Sequence, residues 1–117
     1  MNIEEFRDYC ISKKGVTEEF PFDKNTLVFK VMGKMFALVD VETFDFINLK
    51  SDPENAIDLR EKYQGIKPGY HMSKIHWNSV YVNTDVTDKM ILQLVDESYS
   101  LIVNSLTKKL KEELARL

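Results

Sequence analysis

The stretch TLVFKVMGKMFALVD, from Thr26 to Asp40, constrains the fold of this chain more than any other stretch does. β-Branched and aromatic side chains dominate it, and a Gly33–Lys34 turn divides it into two halves, which is the pattern of a β-hairpin. Gly33 is expected to supply an unusual backbone angle at the turn. Alternation along the first strand predicts one side toward a core and one side away from it. The core side holds Leu27, Phe29 and Val31, and the other side holds Val28, Lys30 and Met32.

Other segments predict helices that would cover one face of this hairpin. An apolar stripe at helical spacing predicts a first helix from about Asn2 to Lys14. The sequence SDPE predicts a second helix, capped by Asp52 with a proline at its first position. A long amphipathic helix is expected to begin at Asp85 or Thr87, and its leucine stripe continues through a last helix with a kink near Thr107.

Further strands are predicted on either side of the second helix. FDFINLK, Phe44–Lys50, is expected to be a third strand with Ile47 and Leu49 inward, and with Phe44, Phe46, Asn48 and Lys50 outward. KPGYHM and HWNSVYV predict two shorter strands, whereas VTEEFPFD, before the hairpin, is expected to be irregular. The predicted order is α-β(3)-α-β(2)-α. This order indicates an α+β fold, a two-layer α/β sandwich with a mostly antiparallel sheet and helices on one face.

Length and composition indicate one globular domain. We expect a single domain over residues 1–117, because this length is usual for one domain. A composition of 44% hydrophobic and 30% charged residues is typical of a globular protein and not of a disordered one. The single cysteine, Cys10, lies among the apolar positions of the first helix and is expected to be a buried thiol. The acidic amino terminus and the lack of a long apolar run predict a cytoplasmic protein that does not bind membranes.

No residue pattern predicts a catalytic centre, a metal site or a cofactor. His71 and His76 lie five residues apart with no cysteine or carboxylate between them, which is not the spacing of metal ligands. The glycine-containing segments do not match phosphate-binding loops, and no serine or cysteine stands in a nucleophile elbow. A triad assembled only by the fold stays open at this point. We expect a protein that is not an enzyme and that needs no cofactor.

One segment is free of acids, although the protein carries a net charge of −3. Between Lys62 and Thr84 the chain has three lysines, both histidines, the only tryptophan and no carboxylate. Pro68–Gly69 predicts a turn, with Gly69 at the positive angle of a type II turn. That turn would present His71, Lys74 and His76 as a small cationic rim, attractive to phosphate or to an acidic partner.

Lysines interleaved with aromatic side chains on an open sheet face suit two kinds of ligand. They suit single-stranded nucleic acid, through phosphate contacts and base stacking. They also suit a partner protein, because aromatic residues are enriched in interface cores. Trp77 and Tyr81 are expected on one side of the last strand, with His76 and Asn78 on the other. A third interpretation makes Trp77 and Phe46 ordinary core residues.

Five segments in order resemble a known family. They are FPFD, VFKVMGKMFAL, NLKSDPE, LREKYQGIKPGYHMSKIHWNSV and DESYSLIVNSL, which together span nearly the whole chain. Together they resemble the MmcQ/YjbR family of small bacterial proteins, and the block PGYHMSKIHWNSV is the most specific part of the resemblance. The family's shared positions fall on Pro68, Gly69, His71, Lys74, His76, Trp77 and Asn78, and on Lys30, Gly33 and Lys34 of the hairpin.

The resemblance implies both a fold and a function. It implies the α-β(3)-α-β(2)-α order, an architecture similar to bacterial frataxin and to type III secretion chaperones. The family is described as predicted DNA-binding, with a "double wing" motif, and the resemblance brings no catalytic residue with it.

Two hypotheses of function follow from the residues and the resemblance together. The first is weak, salt-sensitive binding of DNA, mainly through phosphates, with Trp77 as a stacking group or a structural anchor. The contacts are expected from Lys30, Lys34, Lys67, His71, Lys74 and His76. The second is a non-enzymatic protein–protein interaction module that uses the open sheet face or the leucine-striped carboxyl terminus.

Overall fold

The computed structural model describes all residues from Met1 to Leu117, which form four helices and six strands. In chain order these are α1 (Ile3–Ile11), β1 (Val16–Glu19), β2 (Thr26–Val31), β3 (Lys34–Asp40), β4 (Phe46–Lys50), α2 (Pro53–Lys62), β5 (Ile66–Pro68), β6 (Trp77–Tyr81), α3 (Asp88–Ser105) and α4 (Lys108–Arg116). The α+β fold class predicted from the sequence is confirmed.

The six strands form one sheet in the order β1-β2-β3-β4-β6-β5, and every neighbouring pair is antiparallel. The prediction that VTEEFPFD is irregular was wrong for its first half, because Val16–Glu19 pairs with β2 as an edge strand. Two glutamates in four residues hid this strand, although charged side chains are a common feature of sheet edges. The strand count before α2 is therefore four.

The helix boundaries follow the capping residues that the sequence offers. Asp52 caps α2 by accepting a hydrogen bond from the Asn55 N–H, and a proline occupies the first helical position, as predicted. Thr87, one of the two predicted starts, caps α3. The kink predicted near Thr107 is a complete break, because Thr107 caps α4 as a separate helix.

The β2–β3 hairpin turns at Met32–Gly33, one residue earlier than the expected Gly33–Lys34 turn. Val31 pairs with Lys34, and φ is 50° at Met32 and 85° at Gly33. Two successive positive φ angles are what a two-residue type I′ turn requires, so the prediction of an unusual angle at Gly33 is confirmed. A bulge follows in β3, where Phe36 is the extra residue between the Phe29–Ala37 and Lys30–Met35 pairs.

The main core lies between the sheet and the helices. Leu27, Phe29 and Val31 face it, as predicted, together with Phe6 and Cys10 of α1. Burial of the Cys10 thiol raises its pKa to about 12. The leucines of the carboxyl terminus also pack here, since Leu106 and Leu114 belong to this core. The stripe proposed as an interaction surface is therefore largely used inside the molecule.

One residue of this core, Phe44, differs from the expectation, and a bulge beside the core was not predicted. Phe44 was expected on the outward side of a strand, but it precedes β4, has a φ of 44° and packs against Phe6 with ring centroids 5.7 Å apart. The bulge at Phe36 opens the β3–β4 ladder, and the buried Ser98 hydroxyl fills the opening. Ser98 Oγ donates to the Phe36 carbonyl at 2.6 Å and accepts from the Lys50 N–H at 2.9 Å.

Candidate functional site

The Gly69–His76 loop lies across the outer face of the sheet, meaning the face turned away from the helices. Strands were predicted over KPGYHM and HWNSVYV, but only Ile66–Pro68 and Trp77–Tyr81 pair. Two backbone hydrogen bonds tie the loop to the start of β6. The Gly69 N–H donates to the Trp77 carbonyl at 2.9 Å, and the Trp77 N–H donates to the Ser73 carbonyl at 3.0 Å. The acid-free segment is thus a cover for part of the outer face.

Gly69 is required for a different reason than the expected one. The positive φ predicted there is absent, and in this loop His71 has the positive value, 59°. A Cβ atom on Gly69 would lie 2.8 Å from the Trp77 Cβ and 2.9 Å from the Trp77 carbonyl oxygen. Glycine is therefore needed because the loop approaches β6 too closely for any side chain.

A small polar network holds Tyr70 over the sheet. Ser79 Oγ donates to Asn48 Oδ1 at 2.5 Å and accepts from the Tyr70 N–H at 2.9 Å. Asn48 Nδ2 donates to the Tyr70 carbonyl at 3.1 Å, so both peptide groups of this residue are bonded to the strands beneath. The Tyr70 ring then meets the Phe46 ring edge to face, with centroids 5.9 Å apart.

Trp77 is a structural anchor of this outer face. It is 8% exposed and forms a second apolar cluster with Val28 and Leu38, against which Met35 and Met72 pack. Of the two roles considered for Trp77, the structure places it in the anchoring one, because Met72 of the loop covers a ring that would otherwise face solvent. It lies on the same face as Tyr81, whose ring contacts Phe46.

Three of the lysines expected to contact a ligand are engaged within the chain. Lys30 forms an ion pair with Glu19 of the neighbouring edge strand. Lys74 folds back, and its ammonium group donates to the Gly69 carbonyl at 2.8 Å, closing the loop at its base. Lys34 extends past the hairpin turn toward the carboxyl end of α3, where its nitrogen lies 3.5 Å from the Ser105 carbonyl.

Three of the expected contact residues have exposed side chains without a hydrogen-bond partner. Lys67 is opposite Ser79 in the β5–β6 pair and so lies on the outer face. The His71 ring contacts the Tyr70 ring at a centroid distance of 4.0 Å, with the two planes tilted by 53°. His76 stands at the foot of the loop, where its carbonyl accepts from the Ser51 N–H at 2.8 Å.

The strand registers bring the β2–β3 turn and the base of the Gly69–His76 loop to the same end of the sheet. Lys34 begins β3 beside the turn, and Lys50, which ends β4 at that end, pairs with Trp77. Cationic residues that are far apart in sequence therefore share one end. The predicted rim of His71, Lys74 and His76 is not continuous. His71 lies farther along the outer face, beside Tyr70.

A groove of about 440 Å³ crosses the rest of the outer face. Its floor is formed by β2, β3 and β4, one wall by the segment before β2, and the other wall by the Gly69–His76 loop. The twelve residues that line it are Phe22, Asp23, Thr26, Met35, Leu38, Val39, Asp40, Phe46, Asn48, Tyr70, His71 and Met72. This set, with its seven hydrophobic members, is what we call the groove.

The walls of the groove are the part that sequence reasoning missed. Phe22 and Tyr70 are large aromatic residues that are 65% and 57% exposed, one on each wall. The signals were present, since Phe22 follows a proline in FPFD and Tyr70 directly follows Pro68–Gly69, places where a side chain is not absorbed into a regular element. Phe46 and Asn48, predicted on the outward side of their strand, line the floor as expected.

Two aspartates, Asp23 and Asp40, line the groove, and both lie at one end of it. Asp23 Oδ1 accepts from the N–H groups of Asn25 and Thr26, at 2.9 and 2.7 Å, and these backbone bonds, the Thr26 bond foremost, lower the pKa of its carboxyl. Thr26 in turn pairs with Asp40 across the β2–β3 ladder. The two carboxylates therefore stand at the same end, and no lysine or arginine lines the groove.

A second, more polar cleft lies between the start of α2 and α3, lined by Asp52, Asp96 and Glu97 among others. Its Asp96 is already bonded to Lys13 and to the Tyr9 hydroxyl, and the hydrogen bond with Asp96 raises the pKa of Tyr9 to about 12. No group of three potential ligands is arranged to hold a metal ion, and no helix has the length and apolarity to cross a membrane.

Comparison with known proteins places this fold among relatives. The YjbR family model matches residues 11–101. The Escherichia coli K12 protein YjbR, described as uncharacterised, is 35% identical over the full length of both chains. YbdF of Escherichia coli O157:H7, described in the same way, is 41% identical over 77% of this chain and 75% of its own.

Two solved structures have folds similar to this one. The crystal structure of the Deinococcus radiodurans protein DR2400, described as a DUF419 domain, has a TM-score of 0.90 and 36% identity, over 97% of this chain and 88% of that one. A crystal structure from Pseudomonas syringae has a TM-score of 0.72 and 32% identity, over 86% of this chain and 98% of that one.

Proposed function

Since the chain belongs to the YjbR family, we propose that it is a bacterial, cytoplasmic, non-enzymatic binding protein whose groove takes an extended segment of a partner protein. The groove itself is the observation that carries this proposal. The cytoplasmic location is supported by a single cysteine that stays an unpaired, buried thiol.

Three features of the groove suit a protein segment. Its volume falls in the range of ligand sites, about 300–1,000 Å³, and its floor is mainly apolar. It is partly open to solvent, whereas sites for small molecules usually bury most of the ligand surface. Phe22 and Tyr70 remain exposed on its two walls, and exposed aromatic residues beside an apolar surface are typical of interaction sites.

The test is selection of short unstructured peptides from a random display library on the intact protein. Selected peptides are then synthesised and titrated while the Trp77 emission is followed, because Trp77 packs against Leu38, Met35 and Met72 of the groove. We expect saturable binding by peptides with large apolar residues, and a change in Trp77 emission.

Matched variants locate the binding site. Phe22→Ala and Tyr70→Ala remove exposed wall residues and are each expected to weaken binding about tenfold or more. Ile75→Ala is the control, because Ile75 is 63% exposed but lies outside the groove. Failure to select any peptide, or binding that neither wall variant weakens, would overturn the proposal.

Binding of nucleic acid is the second candidate, and the shared end of the sheet supports it. The β2–β3 turn and the Gly69–His76 loop stand at that end, and Lys67 of the outer face has no acidic partner. Two neighbouring segments that carry cationic residues can contact a phosphate backbone. The resemblance to a family described as predicted DNA-binding, with a "double wing" motif, also supports this candidate.

Titration with short single- and double-stranded DNA at two salt concentrations tests this candidate. Binding through phosphates is expected to lose affinity steeply with salt, with a slope of about 0.7–0.9 for each cationic contact. Lys67→Ala should weaken it equally for all sequences, while Lys108→Ala in α4 serves as the control. Absence of binding at low salt excludes nucleic acid as the ligand.

A further inference from the structure

We propose that the groove selects partner segments in which a lysine or arginine accompanies the apolar residues, and that Asp23 and Asp40 receive that cation. This inference rests on the proposed function and adds to it the charge of the partner. It arises from the uneven distribution of charge in the groove, which is acidic at one end and apolar along its floor.

The two carboxylates are held in fixed positions by the backbone. Asp40 Oδ1 accepts from the N–H groups of Glu42 and Thr43, at 2.9 and 3.2 Å, in the turn after β3. Asp23 is held in the same way before β2, and its Oδ2 also accepts from the Thr26 hydroxyl at 3.1 Å. Side chains held like this lose little conformational freedom when they bind a cation.

Neither carboxylate has a cationic partner in the chain. The four ion pairs of the protein involve Asp88, Glu18, Asp96 and Glu19. Asp40 Oδ2 accepts no hydrogen bond, and a carboxylate can accept about four. The two groups therefore keep both their negative charge and their capacity to accept from an ammonium or guanidinium group.

Two other titratable groups line the groove. They are Tyr70, beside Phe46 of β4, and His71, beside Tyr70, both on the loop wall, whereas Asp23 precedes β2 and Asp40 ends β3. A segment with a carboxylate or a phosphate at the Asp23–Asp40 end would meet two like charges. Complementarity of charge thus favours a cationic segment and disfavours an acidic one.

The experiment compares three synthetic peptides that share one apolar core chosen from the library selection. They carry lysine, glutamine or glutamate at both ends, so that the direction of binding does not matter. We expect the lysine peptide to bind about threefold to tenfold more tightly than the glutamine peptide, and the glutamate peptide to bind most weakly. Added salt should reduce the difference.

Asparagine variants test the two carboxylates. Asp23→Asn and Asp40→Asn keep an oxygen that can accept the backbone hydrogen bonds but remove the charge. In these variants the affinity for the lysine peptide should fall toward the affinity for the glutamine peptide. Asp85→Asn is the matched control, because Asp85 accepts from the N–H groups of Gln64 and Gly65 outside the groove.

Each outcome has one meaning. Binding of all three peptides with equal affinity, or a preference that survives both asparagine substitutions, overturns the inference and leaves the groove as a site for apolar segments. Binding of none of them overturns the proposed function itself. A preference that Asp85→Asn removes as effectively as Asp23→Asn also overturns the inference, because it would reflect overall charge.

Discussion

Substitution of Gly69 by alanine tests how the candidate site is built. The new Cβ would lie 2.8 Å from the Trp77 Cβ and 3.1 Å from the Met72 Cβ, whereas carbon atoms in contact prefer about 3.5–4.0 Å. Trp77 lies in β6 between β4 and β5 and cannot retreat. The loop must therefore shift away from the sheet.

The expected cost follows from what this shift breaks. Relief of the overlap costs about 1–3 kcal/mol, as for other cases of overpacking. The Gly69 N–H bond to the Trp77 carbonyl, 2.9 Å long, adds about 1 kcal/mol when it is lost. Gly69→Ala should thus lower the free energy of unfolding by about 2–4 kcal/mol, out of a total of about 5–15 kcal/mol for a typical domain.

Gly33 provides the matched comparison, because nothing lies within 4 Å of a Cβ built there while its φ is +85°. Alanine at Gly33 should cost about 1–2 kcal/mol through backbone strain alone. Asparagine, which tolerates a positive φ, should be milder than alanine at Gly33 and more damaging than alanine at Gly69.

Urea unfolding followed by both Trp77 emission and far-ultraviolet circular dichroism measures these four variants. Only the Gly69 variants should change the emission of the folded protein, since only they displace the Met72 cover. If Gly69→Ala unfolds within about 0.5 kcal/mol of the wild type, the close approach of loop and strand does not hold the site together.

Three further outcomes are expected. Ser98→Ala should lower the free energy of unfolding by about 2–4 kcal/mol in urea, because it leaves a buried carbonyl of β3 and an N–H of β4 unpaired; a change near zero would mean that water replaces the hydroxyl. Cys10 should resist thiol reagents at neutral pH until the protein unfolds, since its pKa is about 12 and its side chain is buried; rapid labelling of the native protein would contradict this. Backbone hydrogen bonds from Gln64 and Gly65 lower the folded-state pKa of Asp85 below its ordinary value of 3.8. The Asp85 carboxylate therefore stabilises the fold above that pH, and this stabilisation disappears as the pH falls through the lowered pKa. Urea midpoints measured at neutral and acidic pH should show that Asp85→Asn loses less stability on acidification than the wild type does. An equal loss of stability would refute this role of Asp85.

Local chemistry in the sequence determined most of the secondary structure. The β-branched and aromatic residues from Thr26 to Asp40 predicted the hairpin. Alternation along its first strand predicted that Leu27, Phe29 and Val31 face the core, because a strand directs successive side chains to opposite faces. The Asp52 cap located the start of α2, and Thr87 was one of the two starts predicted for α3, because such side chains satisfy N–H groups that no helix can satisfy itself. The sequence also predicted that Phe46 would face outward and that Trp77 and Tyr81 would share one side of their strand.

The tertiary structure decided what that outer face offers to a partner. Trp77 is covered because Met72 returns over it, and Tyr70 is fixed because Ser79 and Asn48, on two different strands, bind its backbone. These contacts join residues that local propensity does not relate, and an irregular loop has no periodicity from which its path could be predicted. The groove and its acidic end exist only where two such segments meet over the sheet.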